Sequence, residues 1–233
     1  MIPMNGVPLP APKVVILAAG FSSRLRRPKA LVRLRASTLL RRTLLLASRC
    51  SPAKVIVVIP PRAPRYQMEA RGLGAEFTAN RRRASGLASS VRHGIRRARC
   101  SPALLLLTVD MAVLRERDVA RLILKWRGAR RCVIARRIGE DGGIPLILPK
   151  WLYRRALTVT GDVGLRELIG ALPPTQRVLI DLPSAALDVD TAQDLHAARH
   201  RLTLLRRGGM IDPSTPQRSR GEGKTTEKLR PPP

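Results

Sequence analysis

The chain has 233 residues, 44% of them hydrophobic, and a formal charge of +28. This length is enough for one α/β domain with a full hydrophobic core. The positive charge attracts polyanions such as triphosphates, but aromatic residues make up only 3% of the chain, which disfavours base-specific binding of nucleic acid.

Cysteines and apolar runs exclude further classes of protein. Cys50, Cys100 and Cys132 form no C-x-x-C pair, which argues against a structural zinc site or a disulfide framework and fits a reducing compartment. The longest apolar runs, such as residues 103–109, are far shorter than the roughly 20 residues that a membrane-spanning helix needs. We therefore expect a cytoplasmic chain with no membrane partner.

The predicted elements begin after a loose, proline-rich leader at residues 1–12. Continuous apolar runs predict buried parallel strands, and amphipathic stretches between them predict helices. Ser37 is a candidate N-cap for the first helix. The predicted strands are 14–18, 54–59, 103–109, 132–135 and 145–148, and the predicted helices are 37–49, 87–98, 118–126 and 191–205.

Alternation of strands and helices indicates an α/β fold with a single Rossmann-like, doubly wound, mostly parallel sheet. We expect it to span residues 13–205, with a phosphate site at the carboxyl ends of the strands. Residues 206–233 are polar and basic, and are expected to form a disordered tail.

The first predicted strand leads into the loop "LAAGFSSRLRRPKAL", residues 17–31. Small residues after a buried strand let backbone N–H groups approach phosphate, and Arg24 and Lys29 supply positive charge. The alternative is a tight turn with a solvated basic face. The spacing of a Walker loop is missing.

This loop resembles the signature L-A-A-G-x-S-x-R-M-G-x-x-K of molybdenum cofactor cytidylyltransferases and related sugar and isoprenoid nucleotidyltransferases. Arg26 stands where the family has its second glycine, so it either adds a phosphate contact or obstructs the nucleotide pocket. The resemblance implies nucleotide binding by the matching residues Leu17, Ala18, Ala19, Gly20, Ser22, Arg24 and Lys29.

A second segment, "NRRRASGLASSVRHGI" at residues 80–95, resembles the family's Ser-Ser-Leu-Arg helix start. Arg83 stands where a tryptophan is common. The serines are also compatible with simple helix caps. The resemblance implies nucleotide contacts from Asn80 and Gly86, and acceptor contacts from Ser89, Ser90 and Arg92.

Two further segments supply candidate metal ligands. Asp110 ends a predicted buried strand, where one carboxylate suits Mg²⁺ together with phosphate oxygens, although it is also a candidate N-cap. In the family this Asp lies in a D-x-P pattern; Ala112 replaces the proline here. "LDVDTAQDL" resembles the family's D-I-D-T-P-E-D-L, which makes Asp190 the second candidate ligand, with Asp188 and Asp194 as capping or surface residues.

Acceptor recognition is assigned by resemblance to "GDVGLRELI", residues 161–169, with Gly161, Asp162 and Arg166 as candidate contacts. "GGIPLIL", residues 142–148, lies where the family has G-x-P or G-H-P, and Ile144 departs from the histidine form.

The resemblance implies a magnesium-dependent transfer of CMP from CTP to a molybdopterin-type cofactor, with release of pyrophosphate. Arg24 and Lys29 would be the catalytic residues, and a molybdoenzyme or its maturation chaperone would receive the product. CTP is favoured over GTP because Ala19 replaces a glycine that is more frequent in guanylyl-transferring relatives. The alternatives are a GTP-using or sugar-phosphate nucleotidyltransferase, and an enzymatically silent basic protein that delivers cofactor or contacts nucleic acid non-specifically.

Overall fold

A seven-stranded sheet lies at the centre of the computed structural model, which describes residues 11–50, 53–161 and 164–207. A two-stranded hairpin stands apart from it. The strands, in chain order, are β1 (Lys13–Leu17), β2 (Arg33–Leu34), β3 (Ser37–Thr38), β4 (Val55–Ile59), β5 (Glu76–Ala79), β6 (Ala103–Thr108), β7 (Val133–Ile138), β8 (Asp141–Pro149) and β9 (Arg177–Ile180), of which β2 and β3 form the hairpin.

The order of the strands across the large sheet is β5-β4-β1-β6-β8-β7-β9. β1 pairs in parallel with β4 on one side and β6 on the other, and β9 is parallel to β7. β8 runs antiparallel to both β6 and β7. The predicted α/β fold with a mostly parallel sheet is therefore confirmed, with one reversed strand in it.

Seven α-helices lie between and after the strands in the described ranges. Among them, α3 (Leu87–Ala98) packs on β1 and β4, while α4 (Glu116–Gly128) packs on β7 and β8. The helices are α1 (Leu39–Arg49), α2 (Pro64–Met68), α3 (Leu87–Ala98), α4 (Glu116–Gly128), α5 (Tyr153–Ala156), α6 (Gly164–Gly170) and α7 (Ala192–Arg207).

The main core is built on the central strands. Residues 104–107 of β6 are fully buried, and replacing one such leucine by alanine typically costs about 2 to 5 kcal/mol. α3 approaches β1 closely at Gly94, where a Cβ atom would collide with the Val15 side chain. This contact holds α3 against β1, the strand that leads into the loop of residues 17–31, called the basic loop below.

A second group of buried residues, the small apolar cluster, lies apart from the main core. It joins the segment after residue 31, the hairpin, the residues after Asp110, and α7. Its buried members are Val32, Leu34, Leu39, Ala112, Val113, Val189, Leu195, Ala198 and Leu202.

Two predicted boundaries change. The N-cap of α1 is Thr38, whose Oγ1 accepts a hydrogen bond from the Arg41 backbone N–H at 3.1 Å; Ser37 lies in β3 instead. α7 continues to Arg207, so the first two residues of the predicted tail are helical. Residues 1–10 of the predicted leader and 208–233 of the tail lie outside the described residues. None of the described helices is long and apolar enough to span a bilayer.

Candidate functional site

The loop after β1 is closed by its own hydrogen bonds. Ser22 Oγ accepts a hydrogen bond from the Lys29 backbone N–H at 2.9 Å, and the Ser22 carbonyl accepts one from Leu25 at 3.1 Å. Ser22 and Arg26 both have a left-handed backbone, with φ of 55° and 51°. The loop is a defined turn that carries Lys29 back toward the end of the sheet.

The backbone at Arg26 explains why the family prefers glycine here. A φ of 51° is unfavourable for a residue with a Cβ atom and costs nothing for glycine. The Arg26 side chain is exposed and does not line the cavity described below. The sequence leaves two roles open for Arg26, a phosphate contact or obstruction of the nucleotide pocket, and this geometry does not support obstruction.

We expect Arg26→Gly to stabilise the protein by up to about 1 kcal/mol, because the left-handed cost of about 1 to 2 kcal/mol exceeds the entropy cost of glycine. Arg26→Ala is the matched control, since it removes the same charge and keeps the strain. Denaturant unfolding of both variants measures the difference. A glycine variant less stable than the alanine variant would contradict this account.

Lys29 lies between the two predicted metal ligands. Its Nζ is 3.1 Å from Asp110 Oδ2 and 2.5 Å from Asp190 Oδ1. Burial lowers the pKa of Lys29, but attraction to Asp110 and the hydrogen bonds to both carboxylates outweigh it, so the pKa is raised. The ammonium is therefore charged at neutral pH and partly neutralises the carboxylate pair.

Arg24 approaches the same carboxylates from the solvent side. Its Nη1 lies 3.6 Å from Asp190 Oδ2, and its side chain is 73% exposed. Such a contact contributes little to stability, so the guanidinium is free to turn toward an incoming phosphate.

A second ion pair, absent from the sequence-based prediction, lies beside this group. Arg136 Nη1 is 3.8 Å from Asp188 Oδ2. Burial and then the nearby Asp110 carboxylate raise the pKa of Asp188 to about 6. A β-bulge at Ala135 and Arg136 breaks the alternation of β7 and re-aims its side chains, which no local pattern in the sequence indicates.

The first cavity has a volume of about 350 Å³ and opens at the carboxyl ends of β1 and β6. Its walls include the loop after β1, the segment before α3, and Asp110. All the predicted nucleotide-binding residues except Arg24 and Asn80 line it, namely Leu17, Ala18, Ala19, Gly20, Ser22, Lys29 and Gly86.

The second cavity, of about 190 Å³, shares Leu87, Thr108 and Asp110 with the first. Arg166 lines it, as predicted for an acceptor residue, and Arg136 is a second cation on its wall. Its other walls are largely apolar and include Ile138, Gly142, Gly143, Ile144 and Leu165. Asp110 therefore stands where two adjoining cavities meet.

Three predicted contacts are replaced by internal hydrogen bonds. Asn80 is fully buried and donates to Ser89 Oγ at 2.8 Å and Ser90 Oγ at 3.0 Å. Ser89 in turn donates to the Gly86 carbonyl, and Arg92 donates to the Val159 carbonyl. Asn80, Ser89 and Arg92 thus position the start of α3 and its neighbouring loop, and none of them lines either cavity.

Two further residues predicted to contact the acceptor, Ser90 and Gly161, do not line the second cavity. Ser90 lines the first cavity, together with the residues predicted to bind the nucleotide. The Gly161 carbonyl accepts a hydrogen bond from the Ala88 backbone N–H at 3.0 Å, so this loop supports α3. Asp162 lies outside the described residues.

The carboxylates fit a divalent cation of the magnesium type. Asp110 Oδ1 and Asp188 Oδ1 are buried with no hydrogen-bond partner. Magnesium is held in nucleotide sites by one or two carboxylates together with phosphate oxygens and water. Over the described ranges no group of three or more His, Cys, Asp or Glu is arranged for a metal. Of the two predicted ligands, Asp110 has an unpartnered oxygen, while both oxygens of Asp190 contact cations, Lys29 and Arg24.

Similar proteins were identified by sequence and by structure. Rv0371c from Mycobacterium tuberculosis superposes with a TM-score of 0.69 at 22% identity, covering 83% of this chain and all of that one; another structure of that protein is a complex with manganese. A nucleotidyl transferase from Methanothermobacter gives 0.71 at 21% identity, over 83% and 98% of the two chains.

A third structure, molybdopterin-guanine dinucleotide biosynthesis protein A from Archaeoglobus fulgidus, gives a TM-score of 0.61 at 15% identity, over 82% and 99% of the chains. A search of curated protein sequences finds no match. The sequence model of the MobA-like NTP transferase domain matches residues 14–177, which include the basic loop, α3 and Asp110. The chain therefore belongs to the family of MobA-like NTP transferases.

Proposed function

We propose that this protein transfers CMP from CTP to the terminal phosphate of a molybdopterin-type acceptor and releases pyrophosphate. The observation that carries the proposal is the meeting of two cavities at Asp110. A transferase of this kind needs two substrates side by side, with negative charge neutralised at the point where they touch.

The reaction needs no nucleophilic side chain. An oxygen of the acceptor phosphate attacks the α-phosphorus, and the bond from that phosphorus to the bridging oxygen of the β-phosphate breaks. The electron pair leaves with pyrophosphate. The protein contributes position and positive charge, as is general for phosphoryl and nucleotidyl transfer.

The proposed roles of the residues around the first cavity follow from their positions. The backbone from Gly20 to Ser22 lines the first cavity and contacts the nucleotide, while Lys29 and Arg24 neutralise the β and γ phosphates. Asp110 and Asp190 would hold Mg²⁺, which when bound offsets charge on the phosphate oxygens. The manganese complex of the mycobacterial relative supports a divalent cation here.

The acceptor belongs in the second cavity. Arg136 and Arg166 supply cations for its phosphate, and the apolar walls around Ile144 and Leu165 suit an uncharged organic body. The side chain of Arg136 is only 12% exposed, which strengthens its attraction to an anion that displaces water.

GTP is the alternative nucleotide, because a protein of similar fold is described as acting in molybdopterin-guanine dinucleotide biosynthesis. Ala19, on the wall of the first cavity, is the residue that favours CTP. A direct test incubates the purified chain with Mg²⁺, purified cofactor and each nucleoside triphosphate, and measures pyrophosphate. Release that requires cofactor and stops with EDTA supports transfer; no release with any nucleotide would overturn it.

Replacing Arg136 tests the acceptor side. We expect Arg136→Met to raise the KM for the acceptor at least about tenfold, the effect of losing one charged hydrogen-bond donor, with little change in the KM for CTP. Arg137→Met is the control, since Arg137 pairs with Asp181 on the exposed side of β7. Equal effects on both substrates would remove Arg136 from acceptor binding.

A further inference from the structure

Two side chains on the wall of the first cavity have no part in the transfer chemistry. The guanidinium carbon of Arg83 lies 4.1 Å from the centroid of the Phe21 ring, a cation–π contact. Both residues line the cavity. Phe21 is 57% exposed, so the pair lies at the edge of the cavity that faces solvent.

The sheet topology places the Arg83 backbone away from the phosphate end. Arg83 follows β5 and Asp110 follows β6, and the order β5-β4-β1-β6 separates these strands by three steps, roughly 14 Å. Lys29 lies beside Asp110 at the phosphate end. The first cavity runs from Lys29 and Asp110 to Phe21 and Arg83, so a nucleotide that fills it with its triphosphate at Lys29 extends its base toward Arg83.

The Arg83 guanidinium is available to a ligand. None of the ion pairs among the described residues involves it, and its flat face rests on the Phe21 ring. Stacking fixes the plane of the guanidinium, whose N–H donors form a rigid fork, and leaves the N–H groups on its edge free to donate.

The chemistry of the fork restricts which bases it can bind. A guanidinium donates and never accepts, so two parallel hydrogen bonds require two adjacent acceptors on the base. Cytosine offers N3 and O2, and guanine offers O6 and N7. Adenine and uracil alternate donors with acceptors along their edges and offer no such pair.

We propose that Arg83, supported by Phe21, reads the base of the bound nucleotide and restricts it to cytosine or guanine. This inference rests on the proposed function, in that it takes a nucleoside triphosphate as the ligand of the first cavity. Arg83 contacts the base directly, and Phe21 is a positioning residue that holds the guanidinium plane.

Binding of CTP, GTP, ATP and UTP to the full chain, each with Mg²⁺ at one fixed ionic strength, tests the inference by calorimetry. We expect CTP or GTP to bind at least about tenfold more tightly than both ATP and UTP. Arg83→Met should bring all four dissociation constants within about threefold of one another. Phe21→Leu should reduce the preference by a smaller factor.

Two further variants separate the fork from its charge. Arg83→Lys keeps a cation but lacks the fork, so it should lose the base preference while retaining the wild-type dependence of affinity on salt. Arg81→Met removes an exposed arginine of the same segment that does not line the cavity, and it should keep the preference. Thermal melting of each variant verifies that it is folded.

Equal binding of the four nucleotides by the wild type, or an unchanged preference in folded Arg83→Met, would overturn the inference even if transfer is observed. A preference that Arg83→Met abolishes, in a protein that releases no pyrophosphate, would support the inference and overturn the proposed transfer instead.

Discussion

Asp110→Asn is expected to lower the rate of nucleotidyl transfer at least about a thousandfold. Asp110 lies where the two cavities meet, and one of its carboxylate oxygens is buried with no partner. Loss of several kcal/mol of charge stabilisation at the reacting phosphate gives this factor, since each 1.4 kcal/mol is tenfold in rate. Single-turnover release of pyrophosphate measures it.

Asparagine keeps the shape of the side chain, and Lys29 stays paired with Asp190, so the Asp110 variant should remain folded and lose less stability than the Lys29 variant described below. Asp181→Asn is the matched control, because Asp181 is an exposed carboxylate paired with Arg137; it should retain full activity. A folded Asp110→Asn protein with near wild-type turnover would remove this carboxylate from the mechanism.

Lys29→Met should have the second largest effect, a loss of rate of at least about a hundredfold, comparable to deleting one preorganised donor to developing charge. It should also lower the free energy of unfolding by about 1 to 3 kcal/mol. Breaking a buried ion pair costs more than this, but Asp190 is partly exposed and solvent screens its charge. Single-turnover kinetics and denaturant unfolding measure the two effects.

Magnesium binding without nucleotide distinguishes the role of Lys29 from that of a solvated lysine. Its ammonium lies between Asp110 and Asp190, so removing it leaves two facing carboxylates, and Lys29→Met should bind Mg²⁺ more tightly than the wild type. Lys150→Met, at an exposed lysine outside both cavities, is the control. Unaltered rate and CTP affinity in the Lys29 variant would favour a solvated basic loop.

The half of the site that we assign to the nucleotide is predictable from the sequence because it is local. A buried strand followed by small residues places Gly20, Ser22 and Lys29 within one loop, and the end of the next central strand places Asp110 beside them. Parallel neighbours bring their carboxyl ends to the same edge of the sheet. The fold class follows from the same alternation of strands and helices.

The half that we assign to the acceptor is less predictable because it depends on long-range packing. Arg136 reaches the second cavity through a β-bulge, and Asp188 faces it from the loop before α7; neither signal is visible in periodicity or spacing. The start of α3 shows the opposite case. Ser89 and Arg92 match a family motif, yet the fold uses them internally, because motif matching identifies residues and not the direction of their side chains.

Asp190 lies outside residues 14–177, the part of the chain that the family model matches. The small apolar cluster packs directly beside it, through Val189. Val189 belongs to that cluster and donates its backbone N–H to the Asp110 carbonyl at 3.0 Å. The cluster thus joins the two carboxylate loops, while the main core joins the strands of the sheet. Its hydrophobic effect acts directly on the spacing of the site.

Segments with their own packing open locally at a lower free energy than the whole domain unfolds. The loops that carry Asp110 and Asp190 rest on such a segment, so the spacing of the two carboxylates and the integrity of the sheet have separate supports. Substitutions at Leu195 or Leu202, both buried in α7, would alter how often the site opens for substrate exchange. In the transfer that we propose, hydrophobic residues that line neither cavity thereby influence the rate.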